Sequence, residues 1–244
     1  MDAVTSLDFL HGFNLEGYPN RDSTLYRDIY GIPSAETVLR GSIRYTGFCE
    51  VMKSFGMLGL IDPQPHTCLH PKGPEITWRR FLGVLLGQME DMLPSNLKKL
   101  ALERVDGSEH RLRALEELGL FKEELVDKRD SPLETITHYL GAKLSFTERE
   151  KDVIIMRHEV GIEWPNQVKE KRSIDLVVYG EGDGGVTAMA KCVGYPAAIA
   201  AKMLLEGEIQ KTGCVVPMTL EIYHPMLKRL AEEGIKAVEK SEME

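Results

Sequence analysis

Two apolar runs decide the fold: Val153-Ile154-Ile155-Met156 and, across Trp164-Pro165-Asn166, the segment Val168 to Tyr179, which ends Ile174-Asp175-Leu176-Val177-Val178-Tyr179. Both runs are rich in β-branched side chains, which suit a pleated, half-buried surface, and the Pro-Asn between them is a turn signal. The pair predicts a long β-hairpin. On its C-terminal side, Thr187 to Glu206 is alanine-rich and predicts a helix broken at Gly194-Tyr195-Pro196, and Leu220 to Ala237 predicts another after Pro217. On its N-terminal side the texture changes. Four groups recur at helical spacing: Trp78, Phe81, Leu82, Leu85 and Leu86; Leu97, Leu100 and Ala101; Leu112, Leu115 and Leu118; Leu133, Ile136 and Leu140. The fourth opens with Ser131-Pro132-Leu133-Glu134, a capping box with proline at the first helical position.

Residues 61 to 74 hold four prolines and no periodic pattern, which predicts a boundary loop. Ahead of it the chain reads as mixed α/β. Phe13 to Tyr18 predicts a short strand ending in the turn Tyr18-Pro19-Asn20, and Arg21-Asp22-Ser23-Thr24 then opens a short helix toward Tyr30-Gly31. Thr37 to Tyr45 alternates, with Thr37, Leu39, Gly41, Ile43 and Tyr45 on one face and Val38, Arg40, Ser42 and Arg44 on the other. That alternation predicts a strand with Arg40 and Arg44 pointing the same way. Phe48, Val51, Met52, Phe55 and Leu58 predict an amphipathic helix stopped by Gly56 or Gly59. The fold class is therefore mixed α/β, with flanking helices and an all-helical block interrupting it.

The 244 residues are 43% hydrophobic and 28% charged, which excludes a disordered or fibrous chain. With 38 acidic against 30 basic side chains the formal charge is −8, and this argues against nucleic acid as the main partner. The longest apolar stretch, Val186 to Leu205, is cut by Lys191 and Lys202, so no membrane-spanning helix is expected. The first basic residue is Arg21, after Asp2 and Asp8, and no targeting segment is expected. Four scattered cysteines (Cys49, Cys68, Cys192, Cys214) without a CxxC pair suit free thiols in a reducing compartment.

Three constellations invite a chemical reading. Gly180-Glu181-Gly182-Asp183-Gly184-Gly185 satisfies GxGxxG between a strand and a helix. It reads as a loop only. No second parallel strand with a ribose-holding acid follows, and Glu181 and Asp183 would put carboxylates where a pyrophosphate must sit. His66-Thr67-Cys68-Leu69-His70 has no zinc spacing and no second ligand pair, and it too reads as a loop. His158, beside Arg157, reads as a surface or hydrogen-bonded histidine, although that dipeptide could face a ligand. The third constellation is arginine-based: Arg21 after the Tyr-Pro-Asn turn, and Arg40 and Arg44 flanking Ser42. Planar guanidinium forks suit bidentate carboxylate recognition, so the group could form an anion pocket. Ordinary surface pairs with Asp22, Glu36 or Glu50 are the alternative, and the pattern leaves both open.

Several motifs in order resemble those of the saccharopine dehydrogenases, including the C-terminal part of the bifunctional α-aminoadipic semialdehyde synthases of lysine degradation. They are Leu15-Glu16-Gly17-Tyr18-Pro19-Asn20-Arg21-Asp22-Ser23, Leu39-Arg40-Gly41-Ser42-Ile43-Arg44-Tyr45-Thr46-Gly47-Phe48, Ile174 to Gly180, and Ala188-Met189-Ala190-Lys191-Cys192-Val193-Gly194. The resemblance runs from the first residues to about Gly234, and the last ten residues look unrelated. It implies NAD(P)-dependent oxidation of saccharopine to glutamate and 2-aminoadipate 6-semialdehyde.

The resemblance also implies an organisation. Residues 1–72 and 147–244 would form a mixed-sheet substrate and dimerisation domain, residues 73–146 an inserted helical subdomain, and the N-terminal Rossmann domain would be absent. Arg21 would be a saccharopine-binding arginine, and Ser42, Ile43 and Arg44 a second contact made through backbone groups and a guanidinium. Ser42 stands where relatives carry threonine, and either supplies a hydroxyl. No catalytic, cofactor-binding or metal-binding residue is expected in this chain, so it would bind neither NAD nor NADP and would not turn over alone. The expected partners are saccharopine, the missing nucleotide-binding domain and a second copy in a homodimer, with neither nucleic acid nor membrane among them. The compartment implied is the mitochondrial matrix in an animal and the cytoplasm otherwise. A different class of reading, a non-catalytic dimerisation or regulatory module, stays open beside it.

Overall fold

Pro19 sets the limit of the first sheet. In the computed structural model, which describes residues 3–88 and 90–243, β1 (Thr5–Leu7), β2 (Leu15–Pro19) and β3 (Gly41–Tyr45) pair antiparallel in that order. Gly41 allows the close approach of β2, since a Cβ there would lie 2.9 Å from the Tyr18 carbonyl oxygen. Proline has no N–H to donate, so the ladder beyond it shrinks to one bond, from the Asn20 N–H to the Arg40 carbonyl at 3.0 Å. The strand expected over Thr37 to Tyr45 is therefore only Gly41–Tyr45, and Arg40 lies just outside it. The helix expected from Arg21 is also shorter: α1 is Tyr26–Ile29, because the Asp22 carboxylate first closes a turn on the Thr24 amide (3.0 Å) and hydroxyl (2.8 Å). The next helix, α2 (Phe48–Met57), contains Gly56 and ends against Gly59, whose φ of +78° is the left-handed conformation that glycine adopts readily.

All four helices of the middle block form: α3 (Trp78–Leu85), α4 (Pro94–Arg104), α5 (Glu109–Glu117) and α6 (Pro132–Lys143). The Thr77, Ser108 and Ser131 side chains accept the N-terminal amides of α3, α5 and α6, and Pro94 occupies the first turn of α4. Their apolar faces share a core with Phe55, Leu58, Leu60 and Leu69, each at most 1% exposed. The proline-rich stretch is thus more than a boundary, because a 3-10 turn at Thr67–Leu69 buries Leu69 completely. Arg111 joins α5 to α2 through Glu50 at 2.6 Å and also pairs with Asp106 at 3.1 Å.

The chain divides into two compact units, Met1–Ser145 and Phe146–Glu244, so the division falls where the helical block ends. In the second unit the predicted hairpin is β4 (Val153–Glu163) with β5 (Lys169–Tyr179), in register from Val153 opposite Tyr179 to Glu163 opposite Lys169. The expected helix is continuous as α7 (Ala188–Leu205), and Pro196 lies inside it. The proline withholds one N–H from the Cys192 carbonyl, and the helix persists because tertiary packing holds it. Ala188, Cys192, Tyr195 and Ile199, at helical spacing, cover Ile154, Leu176 and Val178 of the sheet together with Leu230 and Ile235. By length and composition alone α7 is apolar enough to cross a membrane, contrary to the expectation from its two lysines.

Two further elements complete this unit: α8 (Leu220–Glu232) and β6 (Val238–Met243), which pairs antiparallel with β5 from Asp175 to Glu170. No strand is expected at the C-terminus from sequence. β6 is an exposed, mostly polar edge strand with no buried face, so it carries no apolar alternation to read.

Candidate functional site

The turn carrying Arg21 and the strand carrying Ser42, Ile43 and Arg44 lie side by side. Pairing of β2 with β3 sets Tyr18 opposite Ser42, Gly17 opposite Ile43 and Glu16 opposite Arg44. Three hydrogen bonds then clip the turn to the segment before and within β3. The Asn20 side-chain amide donates to Ser42 Oγ at 3.0 Å, the Asn20 N–H donates to the Arg40 carbonyl at 3.0 Å, and the Ser23 hydroxyl donates to the Val38 carbonyl at 3.1 Å. Arg21, exposed, sits within the clipped turn. Ser42 and Arg44, two apart on a strand, share one face and Ile43 takes the other.

Two guanidinium groups rest on aromatic rings. Arg44 lies 5.3 Å from the Phe48 ring centroid and donates to the Ile43 carbonyl at 2.7 Å. Arg40 lies 5.3 Å from the Tyr26 centroid and donates to its hydroxyl at 3.1 Å. The shared face expected for Arg40 and Arg44 gives way to separate aromatic supports, because the strand stops short of Arg40.

Three acids near these arginines, Asp22, Glu50 and Glu16, are engaged elsewhere. Asp22 accepts from Thr24, whose amide and hydroxyl hold its carboxyl below the ordinary range. Glu50 pairs with Arg111. Glu16 is buried and accepts the Gly47 and Cys49 amides at the start of α2, at 3.1 and 2.7 Å. Burial alone would raise its pKa, but the amide bonds outweigh it and the net shift is downward. Burial, with Glu16 beside it, pushes the Cys49 thiol up to about 11. Among the described residues, Arg21, Arg40 and Arg44 form no ion pair with a carboxylate. The surface pairs with Asp22, Glu36 or Glu50 are thus not formed among the described residues. A guanidinium free of acids offers charge-assisted bonds worth roughly 1.5–3 kcal/mol each to an incoming carboxylate.

The glycine loop has a different use. Asp152 accepts the Ala188 and Met189 amides at 2.7 and 2.9 Å, filling the N-terminus of α7 with a resident carboxylate. A Cβ on Gly180 would fall 2.1 Å from Asp152 Oδ1, so this glycine makes room for the cap. Glu181 pairs with Lys191 at 2.7 Å and accepts the Val186 amide. The loop therefore does not fit a dinucleotide pyrophosphate, which needs those helix-terminal amides for itself. At the other candidates, His66 and His70 accept the Cys68 and Lys72 amides, and the described residues hold no group of three metal-capable side chains. Arg157 is engaged with Asp175 and Glu159 inside the hairpin. Sequence reasoning missed the caps made by Glu16 and Asp152 and the clip made by Asn20. Asn20 and Glu16 lie within the quoted motif from Leu15 to Ser23, whereas Asp152 lies in none.

The family described as Saccharopine dehydrogenase C-terminal domain matches residues 1–235. The α-aminoadipic semialdehyde synthase of Bos taurus mitochondria is 46% identical over 235 residues, covering 96% of this chain and 25% of the relative. The saccharopine dehydrogenase [NADP(+), L-glutamate-forming] of Saccharomyces cerevisiae is 35% identical, covering 94% of this chain and 52% of the relative. The solved structure of apo saccharopine dehydrogenase (L-Glu forming) from the same yeast superposes with a TM-score of 0.86 at 33% identity, covering 99% of this chain and 54% of that one. The chain thus spans a quarter of the bovine relative's length and about half of the yeast relative's. With two antiparallel sheets and eight helices among its described residues, and the arginine-bearing turn clipped to β3, the chain belongs to the saccharopine dehydrogenase C-terminal domain family.

Proposed function

We propose that this chain supplies the substrate-binding part of a saccharopine dehydrogenase. The observation that carries the reading is the turn at Arg21 and the strand at Arg44, held together by Asn20 and Ser23, with their guanidinium groups unpaired in a protein of net charge −8. Saccharopine brings three carboxylates and two amino groups. In the proposed reaction the nucleotide, where bound, would supply the hydride acceptor; the substrate would lose a hydride from the lysine-derived CH2 and a proton from the amine, and water would add across the resulting C=N bond. That bond then breaks to give glutamate and 2-aminoadipate 6-semialdehyde.

The residues of this chain bind and orient. Arg21 and Arg44 take carboxylates, the backbone around Ile43 adds polar contacts, and Ser42 donates its hydroxyl. The last role follows from Asn20: its amide occupies an acceptor site on Ser42 Oγ, so the hydroxyl proton is left for an anion.

The nucleotide belongs, in this proposal, to the sequence that relatives carry beyond the matched region. The grouping of residues 1–72 with 147–244 as one substrate domain, the homodimer and a mitochondrial address in an animal are parts of the same proposal. The last is supported by the word mitochondrial in the bovine relative's name. Separate calorimetric titrations of the chain test the division of labour. Saccharopine is expected to bind and NADP is not, whereas NADP binding abolished by Gly182→Val would return the glycine loop to nucleotide duty and overturn the proposal.

A further inference from the structure

We propose that Arg40 is a further carboxylate-binding residue of this site, pre-set for the task by Tyr26. The inference rests on the saccharopine reading above and goes beyond it by assigning a third anion contact. Arg40 is tied to the site through its backbone, since its carbonyl accepts the N–H of Asn20, the neighbour of Arg21, and Ser42 follows two residues later. Its side chain is already placed. The guanidinium stands 5.3 Å from the Tyr26 centroid, Nη1 donates to the Tyr26 hydroxyl at 3.1 Å, and Tyr26 stacks on Tyr30 with centroids 5.5 Å apart.

With Nη1 engaged by the phenol, Nε and Nη2 remain, and they are the adjacent pair that accepts a carboxylate side-on with two parallel hydrogen bonds. Neither has a partner among the described residues. A salt bridge inside the protein would have accounted for Arg40 as ordinary surface chemistry, but no acid pairs with it. Arg21 on the turn, Arg40 just ahead of β3 and Arg44 within it are three guanidinium groups without a carboxylate partner among the described residues, as many as saccharopine has carboxylates.

The test uses the full chain, with affinities measured by calorimetry for saccharopine and for three analogues in which one carboxylate at a time is a carboxamide. Arg40→Gln is expected to weaken saccharopine binding about 10- to 100-fold, the equivalent of one charge-assisted hydrogen-bonded contact. For one of the three analogues the variant and the wild type should bind alike, because that analogue lacks the group Arg40 holds. Arg40→Lys should recover part of the loss, and Tyr26→Phe, which keeps the ring and removes the hydroxyl, should lose less than Arg40→Gln. A loss of equal size for saccharopine and all three analogues would mark Arg40 as a purely structural residue and overturn the inference. Unchanged affinity in Arg40→Gln, while Arg21→Gln binds more weakly, would also overturn it and leave the site reading intact. Absence of saccharopine binding by the wild type would remove the site reading and this inference with it.

Discussion

Glu16 shows how a single residue organises the site from below. It is an acid in the central strand of the first sheet, 6% exposed, and its two carboxylate oxygens accept the first amides of α2. This capping keeps Glu16 from competing for Arg44, which lies opposite it across the strands. Its pKa in the folded chain is below the ordinary 4.5, so the stabilisation from its ionised form is fully present above pH 4.5 and is lost as pH falls through the lowered folded value. Glu16→Gln is therefore expected to reduce stability at pH 7 by about 1–2 kcal/mol, the scale of a lost helix cap. The gap from wild type should shrink in urea titrations as pH falls through that lowered value and Glu16 itself becomes neutral; a gap that stays constant down to acid unfolding would refute the capping role.

At this scale the sequence was readable where residues formed a motif and opaque where a partner was distant. Arg21, Ser42, Ile43 and Arg44 stood in recognisable runs. The Glu16 cap spans 31 and 33 residues, and the Asp152 cap 36 and 37, distances at which local pattern carries no information.

Among the elements, the loop from β5 to α7 separates two explanations of the same glycines. In a dinucleotide fold the second glycine lets the backbone approach the pyrophosphate. Here the demanding position is Gly180, where a methyl group would collide with Asp152 and come within 3.0 Å of the Ala188 amide nitrogen. At Gly182 it would meet only the flexible end of Lys151. Gly180→Ala is thus expected to lower the melting temperature by several degrees, the equivalent of roughly 2 kcal/mol from a displaced cap and a backbone clash, while Gly182→Ala stays near wild type. The reverse order in thermal melts would contradict the assignment.

Helices and the hairpin were legible because each has a strong apolar period and its own stop signals. The edges were not. β3 begins late because Pro19 on the neighbouring strand ends the ladder, and β6 is mostly polar and exposed, so neither boundary is written in its own residues. Pro196 misled for the opposite reason: a strong local breaker was overridden by packing of α7 on the sheet.

For the molecule as a whole, a net charge of −8 argues only against one class of partner, whereas the placement of charge suggests what the chain could hold. Most arginines with structural work are paired: Arg79 with Asp91 and Glu123, Arg111 with Glu50 and Asp106, Arg157 with Asp175, Arg229 with Glu208. Those at the clipped turn and beside it are not, among the described residues, and this contrast is what supports the proposed site. Charge alone could not reveal it, because Asp22, Glu50 and Glu16 are drawn into contacts that exist only in the folded chain.

The central claim is that the Arg21 turn binds the carboxylates of saccharopine. Its most direct test is one calorimetric comparison, saccharopine titrated into the full chain and into Arg21→Ala under identical conditions. The account predicts measurable binding by the wild type and at least about a tenfold weaker affinity in the variant, the equivalent of one charged hydrogen-bonded contact. Equal affinities in the two proteins, or no binding by the wild type, would contradict it.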